Sequence, residues 1–485
     1  MGNRNRFIFF NNPFCVIIFY KIVGDSIKFF KAIKNFFFKT PARTIFTIYF
    51  LFALVGGFLL WLPINHKSGV SLSFLDALFI SVSQMSSTGL SPVSLYDTFN
   101  VFGGIISIII LQVGGVGIVL LIASYWVFTG KRIGHKERSI IAFEQNQFTI
   151  KGIIKLISNA IIMIFSIQLV FIIIMSIYLY LRQPWSMHIG ESIFHSFFLA
   201  ASGFGNAGFE MFPTKNSFMV FQQEGLYFGQ VMVMLLIFMG GIGFWPLAEL
   251  ALWIKAKLKR QKYKFSFISK LFVTLHFSTL LITMFIYTLL EYNNTLHLLT
   301  PTNQVFEVLF MSVSARSAGF SNANLISWRE STKLFMAVLM FIGAAPNSSG
   351  GGIRLTTFVL VVSALYAFGR RRKQVFLGGK AIKDDAVRRA YTVFSMGFLI
   401  MIIATFLILT IENLTFTQAF FEVMSAFGTV GLSLGVTPLL SGLSKFILII
   451  TMFIGRIGIL TFIQMLEKKE TINIVTYAEI DMMVG

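Results

Sequence analysis

The chain has 485 residues, 56% of them hydrophobic and 12% charged, with a net charge of +20 and a mean hydropathy of +0.78. That balance excludes a water-soluble globular protein and places the chain in a lipid bilayer. The single cysteine, Cys15, excludes an internal disulfide.

The positive charge is not spread as a nucleic-acid-binding face would be. Of 40 Lys and Arg residues, 31 fall in segments 1–43, 129–155, 255–270, 370–389 and the stretch after 466. These segments alternate with others that are poor in Lys and Arg, so they mark the cytoplasmic side, with both termini on it. No nucleic-acid partner is expected.

Residues 1–43 mix apolar runs with lysines. Arg4 and Arg6 before Phe7–Tyr20 resemble a signal peptide, yet Asn11, Asn12 and Pro13 break the apolar core and no small-residue cleavage pattern follows. A helix lying on the anionic inner leaflet is expected instead. Eight runs are then long enough to span, near 44–63, 101–128, 153–181, 228–254, 268–291, 332–368 (broken), 391–412 and 445–466. Taken in pairs they give repeats at 44–128, 153–254, 268–368 and 391–466. Loops 129–152, 255–267 and 369–390 join the repeats, and a tail follows at 467–485. The expected fold class is an all-α polytopic membrane protein, with four pseudo-symmetric helix–pore loop–helix repeats around a central pore.

Each repeat carries one interruption between its two spans: Ser87-Thr88-Gly89, Asn206-Ala207-Gly208, Ser317-Ala318-Gly319 and Thr429-Val430-Gly431. The glycines lie 119, 111 and 112 residues apart. A short apolar stretch precedes each, with Asp76, Glu191, Glu307 or Glu422 in or near its first turns. A lone small-residue–glycine pair is as well read as a turn; four at one period, all on the outer side, are not. Irregular backbone survives at membrane depth only where it is buried in protein or lines a watery cavity. Glycine allows successive carbonyls to face one axis. Short helices with their C-terminal ends pointing inward favour a cation at the centre, and the acids are expected to draw cations to the mouth. The pattern reads as a carbonyl-lined filter for potassium, with K+ as the substrate.

The second helices carry further glycines at Gly114-Gly115-Val116-Gly117, Gly240-Gly241-Ile242-Gly243, Gly343 and Gly455-Arg456-Ile457-Gly458. Most are expected to serve close helix packing. The third repeat departs from the rest at Gly343-Ala344-Ala345-Pro346-Asn347-Ser348-Ser349-Gly350-Gly351-Gly352. A proline and three consecutive glycines cannot sustain a helix, so a flexible flap beneath the filter, acting as a gate, is expected. Arg456 sits midway along the last span, where a charge costs roughly 2.5–3.5 kcal/mol and needs a cavity or a partner. The carbonyls and hydroxyls of 343–352 are its expected partner. Six scattered histidines offer no metal-ligand spacing. No nucleotide fingerprint or nucleophile constellation appears, and neither an enzyme nor a covalently bound cofactor is expected.

From about residue 41 onward the chain resembles the Ktr/Trk/HKT superfamily of potassium transporters, most closely the Ktr-type membrane subunit. Gln112-Val-Gly-Gly-Val-Gly, Asn206-Ala-Gly-Phe, Arg316-Ser-Ala-Gly-Phe, Gly343-Ala-Ala-Pro-Asn-Ser-Ser-Gly-Gly-Gly, Phe427-Gly-Thr-Val-Gly-Leu and Gly455-Arg-Ile-Gly carry the resemblance. It implies a filter built on Gly89, Gly208, Gly319 and Gly431, a gating loop at 343–352 touched by Arg456, and potassium selectivity with all four glycines present. It further implies a homodimer whose C-terminus, ending at Gly485, reaches the dimer interface. A cytoplasmic ring of nucleotide-binding regulatory subunits is implied as well, docking on the basic segments. Whether sodium acts as an effector or a co-ion, and whether potassium uptake is coupled to sodium or protons, stays open. A membrane enzyme or scaffold with re-entrant loops is the remaining alternative.

Overall fold

A computed structural model describes residues 39–129, 134–144, 153–213 and 217–466. The interfacial helix expected before residue 39 and the tail ending at Gly485 lie outside these residues, as does much of the 129–152 loop. The protein is mostly helical. Four helices are each long and apolar enough to cross a membrane: Pro41–Trp61, Leu156–Arg182, Phe267–Glu291 and Asp384–Ile411. The first starts where Thr40 accepts a hydrogen bond from the Arg43 N–H at 3.3 Å, with Pro41 in the first turn. It stops before Pro63. Large apolar side chains on the outer faces of these helices, such as Phe50, Leu51, Val55 and Phe58 or Phe398, Ile402 and Phe406, are exposed. A continuous apolar exterior of this kind is a lipid-facing surface.

The expected spans near 101–128, 228–254 and 445–466 are not straight. Val101–Val116 with Leu120–Trp126, Tyr227–Gly241 with Phe244–Leu258, and Gly442–Ile457 with Ile459–Leu466 bend by 93°, 105° and 99°. Each bend occurs at a glycine in a left-handed backbone conformation: Gly117 at φ +93°, Gly243 at +94° and Gly458 at +90°. No L side chain adopts that conformation readily. The glycines of these helices therefore serve two separate needs. Gly114, Gly240 and Gly455 do pack closely, as their Cα atoms approach the last carbonyls of the short helices, Met85 O, Phe204 O and Phe427 O, leaving no room for a side chain. Gly117, Gly243 and Gly458 turn the chain. The third repeat breaks instead between Glu330–Ile342 and Leu355–Gly369. Counting each bent pair as one crossing gives seven candidate spans among the described residues.

The interruptions expected after short helices follow Phe74–Met85, Ile189–Phe204, Pro301–Ser314 and Phe416–Gly428. The starts are capped. Ser73 accepts from Asp76 N–H at 3.1 Å, and the Glu191 carboxylate accepts from His188 N–H at 3.1 Å. Thr300 accepts from Asn303 N–H at 3.5 Å. Thr415 and Gln418 form a reciprocal box.

Their packing is cyclic. The first short helix leans on Gly442–Ile457 of the last repeat, the second on Val101–Val116, the third on Tyr227–Gly241 and the fourth on Glu330–Ile342. Each thus contacts the second long helix of the repeat before it, and the last repeat closes on the first. One contiguous apolar core, including Phe79, Phe204, Phe310 and Phe421, runs through all four.

Candidate functional site

At the C-terminal end of each short helix the chain must leave helical geometry, and it does so in the same way four times. The serine in the last turns, Ser83, Ser202, Ser314 or Ser425, offers its carbonyl to the N–H of the residue before the glycine. These bonds come from Thr88 at 2.7 Å, Ala207 at 2.8 Å, Ala318 at 2.9 Å and Val430 at 2.9 Å. Its hydroxyl ties the strand a second time. Ser83 accepts from Gly89 N–H at 3.1 Å, Ser202 from Phe209 N–H at 2.9 Å and Ser425 from Gly431 N–H at 3.0 Å, while Ser314 donates to Phe320 O at 2.5 Å. With their N–H groups occupied behind them, the strands present their carbonyls elsewhere.

Those carbonyls meet at the glycines. A side chain built on Gly89 would begin 2.6 Å from Ala207 O, and one on Gly208 would begin 2.5 Å from Ala318 O. One on Gly319 would strike Val430 O, and one on Gly431 would strike Thr88 O. The order, first strand to second, third, fourth and back to first, is a closed ring with backbone oxygen between neighbouring glycines. Gly89, Gly208, Gly319 and Gly431 have φ of +105°, +66°, +73° and +98°. Ser87, Asn206 and Thr429 are also left-handed, at +57°, +50° and +49°. For β-branched Thr429 this conformation costs on the order of 1–2 kcal/mol, held in place by the surrounding hydrogen bonds.

One face of the ring opens on a cavity of about 460 Å³ whose floor is the four glycines, with Ser91, Ser321 and Ser433 on its walls. The four acids expected to charge this mouth do not line it. Asp76 pairs with Lys445 at 2.7 Å, and Glu191 caps its own helix. Glu307 accepts from the Tyr287 hydroxyl at 2.9 Å. The buried Glu422 accepts from Ser433 Oγ at 2.5 Å, Thr437 Oγ1 at 2.9 Å and Leu434 N–H at 3.2 Å. Short side chains on a capped helix satisfy the nearest donors, so these carboxylates fix the outer loops in place. The acid on the cavity wall is Glu210, two residues past Gly208, which composition alone did not distinguish from its neighbours.

The other end of the ring is covered by segment 343–352. Gly351 N–H donates to Thr429 Oγ1 at 2.7 Å, and Ser349 Oγ donates to Gly240 O at 3.1 Å. The Asn206 amide, oriented so that both its oxygen and its nitrogen are satisfied, donates to Gly203 O at 3.0 Å and Ile237 O at 3.1 Å and accepts from Gly241 N–H and the Ser317 hydroxyl, each at 3.2 Å. Gly350 lies against the Ser317 side chain. The segment's other bonds reach neighbouring helices: Ala345 N–H to Gly241 O at 3.3 Å, Gly352 N–H to Gly455 O at 3.2 Å and Phe244 N–H to Asn347 O at 2.8 Å. Ser348 Oγ donates to Ala345 O at 2.6 Å inside it, and Pro346 supplies no donor. Gly343 and Gly352, at φ +59° and +72°, mark its ends.

Arg456 donates to Ser349 O and to Gly114 O, so one guanidinium joins the segment to the helix end of the first repeat. Arg354 donates to Gly350 O. Sequence reading passed over Arg354, which follows the glycine run by two residues. A second cavity of about 270 Å³ lies on this side, walled by both arginines, Tyr49, Glu144 and residues of the segment.

The serines behind the strands were equally missed, although Ser83, Ser202 and Ser425 each precede their glycine by six residues. Replacing Ser425 with alanine leaves the Gly431 N–H without its acceptor, a loss of about 1–3 kcal/mol if it stays buried. Discrimination between potassium and sodium is expected to fall severalfold in S425A while the purified protein keeps its helix content. Competition of each ion against rubidium uptake measures the first, and circular dichroism the second.

The family described as "TrkH: Cation transport protein" matches residues 11–473. Among characterised proteins, the Ktr system potassium uptake protein D of Bacillus subtilis is 38% identical over 446 residues, covering 92% of this chain and 96% of that protein. The Ktr system potassium uptake protein B of the same organism is 35% identical over 90% of this chain and 95% of its own length. The potassium/sodium uptake protein NtpJ of Enterococcus hirae is 30% identical over 89% and 93%. The crystal structure of the potassium transporter TrkH from Vibrio parahaemolyticus superposes with a TM-score of 0.64 at 17% identity, covering 87% of this chain and 84% of that one, a likeness of fold. With a family match over residues 11–473 and relatives aligned over 90–92% of its length, the chain belongs to the TrkH cation transport protein family.

Proposed function

We propose that this protein carries potassium inward across the cell membrane, through a pore whose selectivity filter is the ring of Gly89, Gly208, Gly319 and Gly431. The observation that carries the reading is the closed order of those glycines, each abutting a carbonyl of the next strand. Potassium shedding its water needs a full set of oxygen partners, and backbone carbonyls of Thr88, Ala207, Ala318 and Val430 supply them without a fixed negative charge. The ion enters from the 460 Å³ cavity, passes the ring and meets segment 343–352. In this reading the segment is a gate, bonded to the inner end of the fourth strand through Thr429 and held shut by Arg456.

The bent and broken second helices complete eight spans in four repeats, with both termini and the basic segments in the cytoplasm. Those segments would receive a nucleotide-binding regulatory ring, and the tail ending at Gly485 would join two copies. Sodium acts as effector or co-ion. The names of the aligned relatives, potassium and potassium/sodium uptake proteins, support potassium as the substrate and a part for sodium.

Rubidium uptake into proteoliposomes holding the full chain tests the reading. Uptake blocked by potassium and not by equal sodium is expected. If the chain alone is silent, the same assay with the cytoplasmic ring added must show it. Equal block by both ions in an active preparation would remove the filter assignment.

A further inference from the structure

A cation that has passed the ring and segment 343–352 enters the 270 Å³ cavity, because Pro346, Asn347, Ser348 and Gly352 of that segment form part of its wall. The same cavity holds two guanidinium groups, on Arg354 and Arg456, both turned toward carbonyls of the segment. Two positive charges in a partly desolvated space oppose the ion that must cross it, since charge interactions there are several times stronger than in water. One carboxylate shares the space. Glu144, the last residue of helix His135–Glu144, accepts a hydrogen bond from the buried Tyr49 hydroxyl at 3.1 Å. Its oxygen and that hydroxyl both come to within 3.6 Å of where a side chain on Gly117 would start. The carboxylate thus sits beside the glycine at the 93° bend.

We propose that Glu144 is the internal counter-charge of the exit cavity, lowering the positive potential of Arg354 and Arg456 enough for potassium to leave. The proposal rests on the transport reading above. Glu144 need not touch the ion. Its own field offsets that of the two arginines where the ion passes, so charge matters and shape does not. Gln at this position keeps an oxygen for the Tyr49 hydroxyl, and a neutral amide replaces the charged group.

The test is rubidium uptake by the full chain in proteoliposomes, with its cytoplasmic ring if that is needed for activity. E144Q is expected to lower uptake about tenfold, the effect of one unit charge in a half-screened cavity, and E144D to stay near the parent. T356D puts a carboxylate back on the same cavity wall, in the first turn of Leu355–Gly369 where a negative charge is well tolerated. E144Q/T356D is therefore expected to recover most of the lost uptake. R354Q/E144Q leaves the cavity with the same net charge as the parent, so the double variant is expected to take up rubidium near the parent rate.

Unchanged uptake in E144Q overturns the proposal, as does a loss that neither T356D nor R354Q restores. If E144Q does not assemble, T356D alone decides: a rise over the parent upholds the counter-charge, and no rise removes it. A parent protein without potassium-displaceable uptake would instead remove the transport reading itself, before any variant is compared.

Discussion

Gly431→Ser is expected to reduce potassium-displaceable rubidium uptake by about 100-fold and to abolish the preference for potassium over sodium. Two separate obstacles produce this result. The residue sits at φ +98°, a conformation that costs a non-glycine residue on the order of 1–3 kcal/mol. Its new Cβ would also collide with Thr88 O and crowd Gly89 Cα at 2.8 Å. The strand relieves the collision only by retreating from the ring, which separates the carbonyls of the first and fourth strands. A misplacement worth about 2.7 kcal/mol at the barrier is 100-fold in rate, and a widened ring no longer matches the oxygen spacing of one dehydrated ion. Competition curves with potassium and sodium on the same vesicles measure both effects. Uptake and preference that survive intact in G431S would show that the ring is not the filter.

The opposite sign is expected at Arg456. Its guanidinium joins Ser349 O of segment 343–352 to Gly114 O, and hydrogen bonds from a charged donor contribute about 1.5–3 kcal/mol each. If the bonded arrangement is the closed one, removing the arginine frees the segment from that anchor. Arg456→Ala should then raise rubidium uptake tenfold or more, in line with about 1.4 kcal/mol of lost closed-state stability. Deleting 347–350 should act in the same direction. Selectivity should be retained in both, because the strands keep their own bonds to Ser83, Ser202, Ser314 and Ser425. An R456A protein that is well assembled and conducts no faster than the parent would remove Arg456 as the latch.

The glycines that meet in the ring could be found in the sequence because an interruption of apolar sequence is conspicuous and its recurrence at nearly constant spacing more so. The 343–352 segment was visible for a related reason: Pro346 with Gly350, Gly351 and Gly352 cannot form a helix. What escaped was chemistry that depends on direction. Asp76, Glu191, Glu307 and Glu422 stood at the right depth to charge the mouth, and their side chains turned to nearby donors instead. The right-angle bends escaped as well, because Gly117, Gly243 and Gly458 sit beside glycines that are present for close packing. A string of letters does not distinguish a glycine that needs space from one that needs a positive φ. Arg354 and Glu144 meet in one cavity from positions 210 residues apart, a proximity that no local pattern announces.

The circular arrangement of the short helices bears on how the protein comes into being. The first short helix leans on Gly442–Ile457, Asp76 bonds Lys445, and the Arg43 side chain donates to Met465 O at 3.1 Å. During synthesis all three contacts wait until the last repeat has left the ribosome. Until then the first repeat sits in the bilayer with an unsatisfied flank and an acid lacking its lysine. A nascent chain in that condition carries polar groups that are costly in lipid until their partners arrive. The final helices thus act as the clasp of a bracelet, and a lesion there would be felt first at the opposite end of the polypeptide, as failed assembly of the earliest-made repeat.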